Sequence, residues 1–96
     1  MIMETALIEV LEGQEAAFEE ALKQAKTVLA QAQGFNHIYL HRGIERPSVF
    51  MLAIGWDTLE DHTIGFRESE LFVQWRALIG PFFANPPQVE HWNLFE

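Results

Sequence analysis

The eight residues Val49-Phe50-Met51-Leu52-Ala53-Ile54-Gly55-Trp56 contain no polar side chain. Their β-branched and aromatic content reads as a strand. In a strand Val49, Met51, Ala53 and Gly55 point to one side and Phe50, Leu52, Ile54 and Trp56 to the other. Both faces are apolar, so both need covering. A contiguous apolar patch of that size is rarely left in water by a soluble monomer. The rest of the chain therefore has to supply a layer for one face, and something else has to supply the second.

The remaining pattern supplies one layer. Residues Met3 to Val10 read as a first strand. From Gln14 to Gln33, Phe18, Leu22, Ala25, Leu29 and Ala32 recur at steps of three and four, which predicts an amphipathic helix. Gly34 stands where a left-handed cap is expected. Asn36 to Ile44 reads as a second strand, and the turn Glu45-Arg46-Pro47-Ser48 makes it a hairpin with the apolar strand. Asp57 or Thr58 caps a short helix to about Ile64, with Thr58 and Asp61 spaced as a capping box. Gly65 interrupts it. Ser69 starts a second segment carrying Leu71, Phe72, Trp75, Leu78 and Ile79, and Gly80-Pro81 stops it. Gln88 to Phe95 is the last strand. The order is βαββαβ, the pattern of a ferredoxin-like α+β sandwich: a four-stranded antiparallel sheet with its helices on one face. Residues 1–96 make one domain. No loop is long enough to cover the other sheet face. A second copy packed sheet against sheet with two-fold symmetry is the expected cover.

Composition excludes several functions. Fourteen acidic residues stand against six basic ones, for a net charge of −8. That disfavours binding to nucleic-acid phosphates and to anionic membranes. No apolar run is long enough for a membrane span. There is no cysteine, which removes disulfides and thiolate metal sites. With no secretory signal at the N-terminus, a cytoplasmic location is expected. No metal site is expected either. His37 and His41 share a strand face about 13 Å apart at ~3.3 Å per residue, too far to share one ion. No glycine-rich phosphate loop or dinucleotide fingerprint is present, so no cofactor is expected.

The candidate chemistry rests on few side chains. His62 lies in the first turns of a short helix and would titrate near neutrality, as a general base needs; the plain alternative is a capping or surface histidine. His91 sits in an apolar strand and needs a hydrogen-bond partner there. It would orient a substrate oxygen, fill the core or touch a partner copy. Arg67 and Arg76 would hold a carboxylate or enolate, or form weak surface ion pairs with neighbours such as Glu68 and Glu70. Trp56, Phe66, Phe72, Trp75, Phe82 and Phe83 would wall a flat aromatic pocket or be ordinary core. Tyr39 would donate to a ligand or pack in a dimer interface.

Several of these residues also carry a resemblance. They are Gly13 after the first strand, Phe18, Gly34, Trp56, the stretch Asp61-His62-Thr63-Ile64-Gly65-Phe66-Arg67-Glu68-Ser69, Phe72, Trp75 and His91. Over essentially the whole chain they resemble the antibiotic biosynthesis monooxygenase family of the dimeric α/β-barrel superfamily. The resemblance implies a protomer that dimerises through its sheet into a barrel, with a pocket between helices and sheet. It also implies monooxygenation of a small aromatic or quinol-like compound by O2 without metal, flavin or haem. His62, His91 and Arg67 are then the catalytic candidates. Tyr39, Trp56, Phe66, Phe72, Trp75 and Phe83 are the substrate-binding ones. The alternative is a non-catalytic small-molecule-binding or stress-associated homodimer of the same fold. Haem degradation is disfavoured. The haem-degrading branch uses an Asn, a Trp and a His at positions that fall here near Thr5-Ala6, at Phe66 and at Arg76, and none matches.

Overall fold

The apolar strand sits inside the sheet. A computed structural model describes all residues 1–96. It contains β1 (Ile2–Glu9), α1 (Glu15–Leu29), β2 (Phe35–Arg42), β3 (Val49–Trp56), a π-helical turn (Asp61–Phe66), α2 (Glu70–Ile79), a 3-10 turn (Gly80–Phe82) and β4 (Gln88–Asn93). The strand order is β2-β3-β1-β4, and every neighbouring pair is antiparallel. This is the βαββαβ ferredoxin-like fold, and β3 lies between two partners, β2 and β1.

Register decides which side chains meet the helices. Glu4 is opposite Ile54 on β3 and His91 on β4; Ala6 is opposite Leu52 and Val89. Side chains alternate across the sheet, so Glu4, Ala6, Ile8, Phe50, Leu52, Ile54 and Trp56 share the helix-covered face. There they meet Phe18, Leu22, Ala25 and Leu29 of α1 and Trp75 and Ile79 of α2 in one buried cluster. Phe18 sets its ring edge-on to Phe50, with centroids 4.9 Å apart.

The opposite face has no helix. Tyr39, Trp92 and Met3 stand on it 61, 48 and 41 % exposed, with Leu7 and Met51 half-buried among them.

Element ends differ from the sequence reading for local reasons. α1 stops at Leu29 rather than Gln33, because Gln31 and Ala32 donate to carbonyls only three residues back. That tightening is a common way for a helix to end. Gly34 then takes φ +81°, a conformation open to glycine, and the chain turns into β2. β2 begins at Phe35 and ends at Arg42 rather than Ile44. β4 stops at Asn93 rather than Phe95, because its partner β1 begins at Ile2, opposite Asn93. The segment expected as a helix to Ile64 broken at Gly65 is instead one π-turn running through Gly65, with the Arg67 N–H bonded to the His62 carbonyl at 3.1 Å. Its entry keeps half of the capping box: the Asp61 N–H donates to Thr58 Oγ1 at 3.1 Å.

Candidate functional site

Between the β1–β4 half of the sheet, the π-turn and α2 lies a cavity of about 270 Å³. Its walls are mostly apolar, and Phe66, Phe72, Trp75 and Phe83 supply its aromatic surface. Only two polar or charged side chains of the chain are buried, Glu4 and His62. Both line this cavity.

Backbone geometry brings them together. Glu4 occupies the one charged position on the inward parity of β1. The wider π-turn aims both His62 and Phe66 inward. Such turns recur at functional sites because they re-aim side chains that a regular helix would spread. His62 stacks on the Trp56 ring with centroids 5.3 Å apart.

The polar atoms form a chain. Trp56 Nε1 donates to Glu4 Oε1 at 2.9 Å. His62 Nε2 lies 3.3 Å from the same oxygen. His62 Nδ1 lies 2.8 Å from His91 Nε2.

Burial sets the charges on this chain. It pushes the Glu4 carboxyl up to about 6, against the Trp56 hydrogen bond and the Arg67 charge, which both lower it. Burial, then the charge of Arg67, then His91, bring His62 down to about 4. Burial and Arg67 also lower His91. Near pH 7 Glu4 is therefore mostly a carboxylate and both imidazoles are neutral. With the ring neutral, the His62–Glu4 contact is a close polar approach rather than an ion pair.

Arg67 and Arg76 also line the cavity. Neither is ion-paired with Glu68, Glu70 or any other carboxylate. The Arg76 guanidinium lies over the rings of Phe72 and Phe83, at 5.8 and 5.6 Å from their centroids.

Of the residues singled out from sequence, His62, Arg67, Phe66, Phe72, Trp75 and Phe83 meet at this cavity, and His91 touches it through His62. Trp56 is fully buried behind it and holds Glu4 instead of facing the cavity. Tyr39 is on the helix-free face, its ring 4.9 Å from that of His37. Glu4 was missed. Its signal was present: a lone carboxylate in the alternating series Glu4, Ala6, Ile8, Val10, whose other members are all apolar.

A buried carboxylate has a cost that a measurement can show. Glu4 has a folded pKa above its unfolded value of 4.5. Its contribution to stability is therefore lost as pH rises from about 4.5 through about 6, and the deficit stays constant above that. Glu4→Gln removes the charge and keeps an oxygen for Trp56 and His62. The variant is expected to unfold at higher urea than wild type at about pH 8, by at most about 2 kcal/mol. The gap should close below about pH 4.5. His62 has the opposite sign: its folded pKa is depressed, so stability falls as acid charges the unfolded state below its ordinary 6.5. A gap that does not change with pH would mean that the Glu4 carboxyl is solvated.

Known proteins place the chain. Residues 1–78 match the antibiotic biosynthesis monooxygenase family. The uncharacterized protein YczJ of Bacillus subtilis is 37 % identical over 93 residues, which span 97 % of this chain and 98 % of that protein. A crystal structure from Bordetella bronchiseptica, described provisionally as an antibiotic biosynthesis monooxygenase, superposes with a TM-score of 0.96. It is 41 % identical and covers 99 % of this chain and 97 % of its own. The cofactor-independent oxygenase SnoaB of Streptomyces nogalater shares the fold, with a TM-score of 0.83 over 99 % of this chain and 93 % of its own, at 13 % identity. No helix is long and apolar enough to cross a membrane. By sequence over most of its length, and by fold over all of it, the chain belongs to the antibiotic biosynthesis monooxygenase family.

Proposed function

We propose that the cavity binds a small aromatic or quinol-like compound and that the protein is a cofactor-independent monooxygenase acting on it with O2. The observation that carries this reading is the pairing of an aromatic cavity with the only buried ionisable side chains in the molecule, Glu4 and His62. Perturbed titratable groups in an apolar pocket mark a site where proton transfer is possible. A cavity of roughly 150 Å³ holds a benzene, so this one suits one or two fused rings.

The reaction needs three things from the chain. The buried cluster of Glu4, His62 and His91 removes a proton from an acidic C–H or O–H bond. Arg67 and Arg76, free of carboxylate partners, hold the resulting anion. The aromatic walls keep the ring in place and exclude water. The electron-rich anion then reduces O2, and a C–O bond forms to give a hydroperoxide. The O–O bond breaks; one oxygen stays as a carbonyl, and the other leaves as water with the two hydrogens lost by the substrate.

The protein acts as a homodimer in the cytoplasm in this reading. A second copy covers the helix-free face around Met3, Met51 and Trp92, and no nucleic acid or membrane takes part.

The test is O2 uptake by metal-stripped protein with one- and two-ring phenols, naphthols and hydroquinones. Uptake above the buffer rate is expected for at least one compound. Arg67→Ala is expected to raise its KM about tenfold, the loss of one hydrogen bond to a charged group. Binding of panel members with no uptake from any of them would overturn oxygenation in favour of a non-catalytic binding role.

A further inference from the structure

Both His62 nitrogens stand beside a polar neighbour. Nε2 faces Glu4 Oε1 at 3.3 Å and Nδ1 faces His91 Nε2 at 2.8 Å. A neutral imidazole carries one N–H. Glu4 Oε1 already accepts from Trp56. With Glu4 ionised, the carboxylate oxygen 3.3 Å away favours the tautomer with the proton on Nε2 of His62. Nδ1 is then the acceptor, and His91 donates from Nε2.

Glu4 does have an atom to spare. Both of its contacts fall on Oε1. No buried side-chain oxygen or nitrogen in the protein lacks a hydrogen-bond partner. Oε2 makes no hydrogen bond, so it is not sealed. Glu4 lines the cavity, and Oε2 is its unbonded oxygen.

Resting on the aromatic-ligand reading above, we infer that Glu4, through Oε2, is the proton acceptor for the bound molecule, and that His62 and His91 are positioning residues that hold its other oxygen. The C–H or O–H bond of the ligand breaks, its proton goes to Oε2, and the electron pair stays on the ligand. Glu4 becomes a neutral carboxylic acid, which suits its apolar surroundings better than the carboxylate. His91 locks the tautomer of His62, as the outer partner of a histidine commonly does. The groups facing Glu4 are Trp56 from β3, His91 from β4, His62 from the π-turn and Arg67 just after it. Arg76 of α2 lines the same cavity, and α1 brings only the uncharged Leu29.

Proton transfer can be read without oxygenation. The probe is 2-tetralone, a two-ring ketone with an acidic C–H, kept anaerobic in deuterated buffer with the intact protein. Wild type is expected to speed deuterium incorporation at that carbon. The rate should rise with pH through about 6 and then level off, because the carboxylate is the active form. Glu4→Gln is expected to lower the rate about 10²–10⁴-fold. His91→Ala frees the His62 tautomer and withdraws a donor from Glu4, so the pH limb should move up by about one unit. His91→Gln, which restores an N–H donor, should move it back. No exchange in wild type, exchange that survives Glu4→Gln, or a limb unmoved by His91→Ala would overturn the assignment. Glu4-dependent exchange beside an absence of O2 uptake across the aromatic panel would keep the acceptor and remove the oxygenase. O2 uptake that survives Glu4→Gln would do the reverse.

Discussion

Phe18→Ala is expected to destabilise the protein by about 3–5 kcal/mol, the usual range for emptying a phenylalanine site in a core. Phe18 is fully buried. It joins α1 to the sheet through Phe50 and to the 3-10 turn through Phe82, with ring centroids 4.9 and 6.0 Å apart. Its removal leaves a hole that backbone from three elements would have to close. A 96-residue chain has only about 5–14 kcal/mol of stability to lose, at 0.05–0.15 kcal/mol per residue. With a urea slope of about 1–3 kcal/mol/M, the unfolding midpoint should fall by roughly 2 M at a fixed protein concentration. A fall under about 0.5 M would mean that α1 does not seat on the sheet through this ring.

The fold was legible because its signals were local and redundant. Phe18, Leu22, Ala25 and Leu29 repeat with the helical period, and all four are buried. Gly34 marked a turn that needs positive φ, and φ there is +81°. The residues from Val49 to Trp56 read as a strand, and β3 has those bounds. The ends of elements were less legible. Whether β4 runs to Asn93 or to Phe95 depends on where β1 begins, which is a long-range fact absent from residues 88–95 themselves. The π-turn was invisible because periodicity arguments assume 3.6 residues per turn, and a single widened turn leaves no repeat to count.

The site was half legible. His62 and His91 stood out by type, and the fold brings them to 2.8 Å across 29 positions of sequence. Phe66, Phe72, Trp75 and Phe83 were grouped as aromatics, and they share the cavity. Tyr39 was grouped for its type alone; strand parity sends it to the helix-free face with His37. Glu4 was lost for the opposite reason. An acidic residue in an acidic chain attracts no notice, and only its parity with Ala6 and Ile8 separates it from the solvated carboxylates. Its surroundings appear only when β1 is aligned with β3 and the π-turn is folded over it, which sets Trp56 and His62 against one oxygen.

Met51→Glu is expected to split the proposed homodimer while leaving the protomer folded. Met51 lies mid-way along β3, opposite Leu7 on β1 and His41 on β2. It is half-buried on the helix-free face of the lone chain, so a glutamate there can reach water when the face is free. Packed against a second sheet it cannot. An unpaired charge buried at such a contact costs about 3 kcal/mol or more, which is over a hundredfold in Kd. Two-fold symmetry places the substitution in the interface twice. Sedimentation is therefore expected to show wild type at twice the 11.1 kDa chain mass and Met51→Glu at the chain mass, with unchanged far-ultraviolet circular dichroism. Val73→Glu is the control. Val73 is exposed on α2, on the other side of the molecule, and the same charge there should leave the dimer intact. A monomeric wild type would leave Met3, Tyr39 and Trp92 in water and would remove the dimer from the proposal. Dissociation by Val73→Glu with a stable Met51→Glu dimer would place the interface on the helical layer rather than behind the sheet.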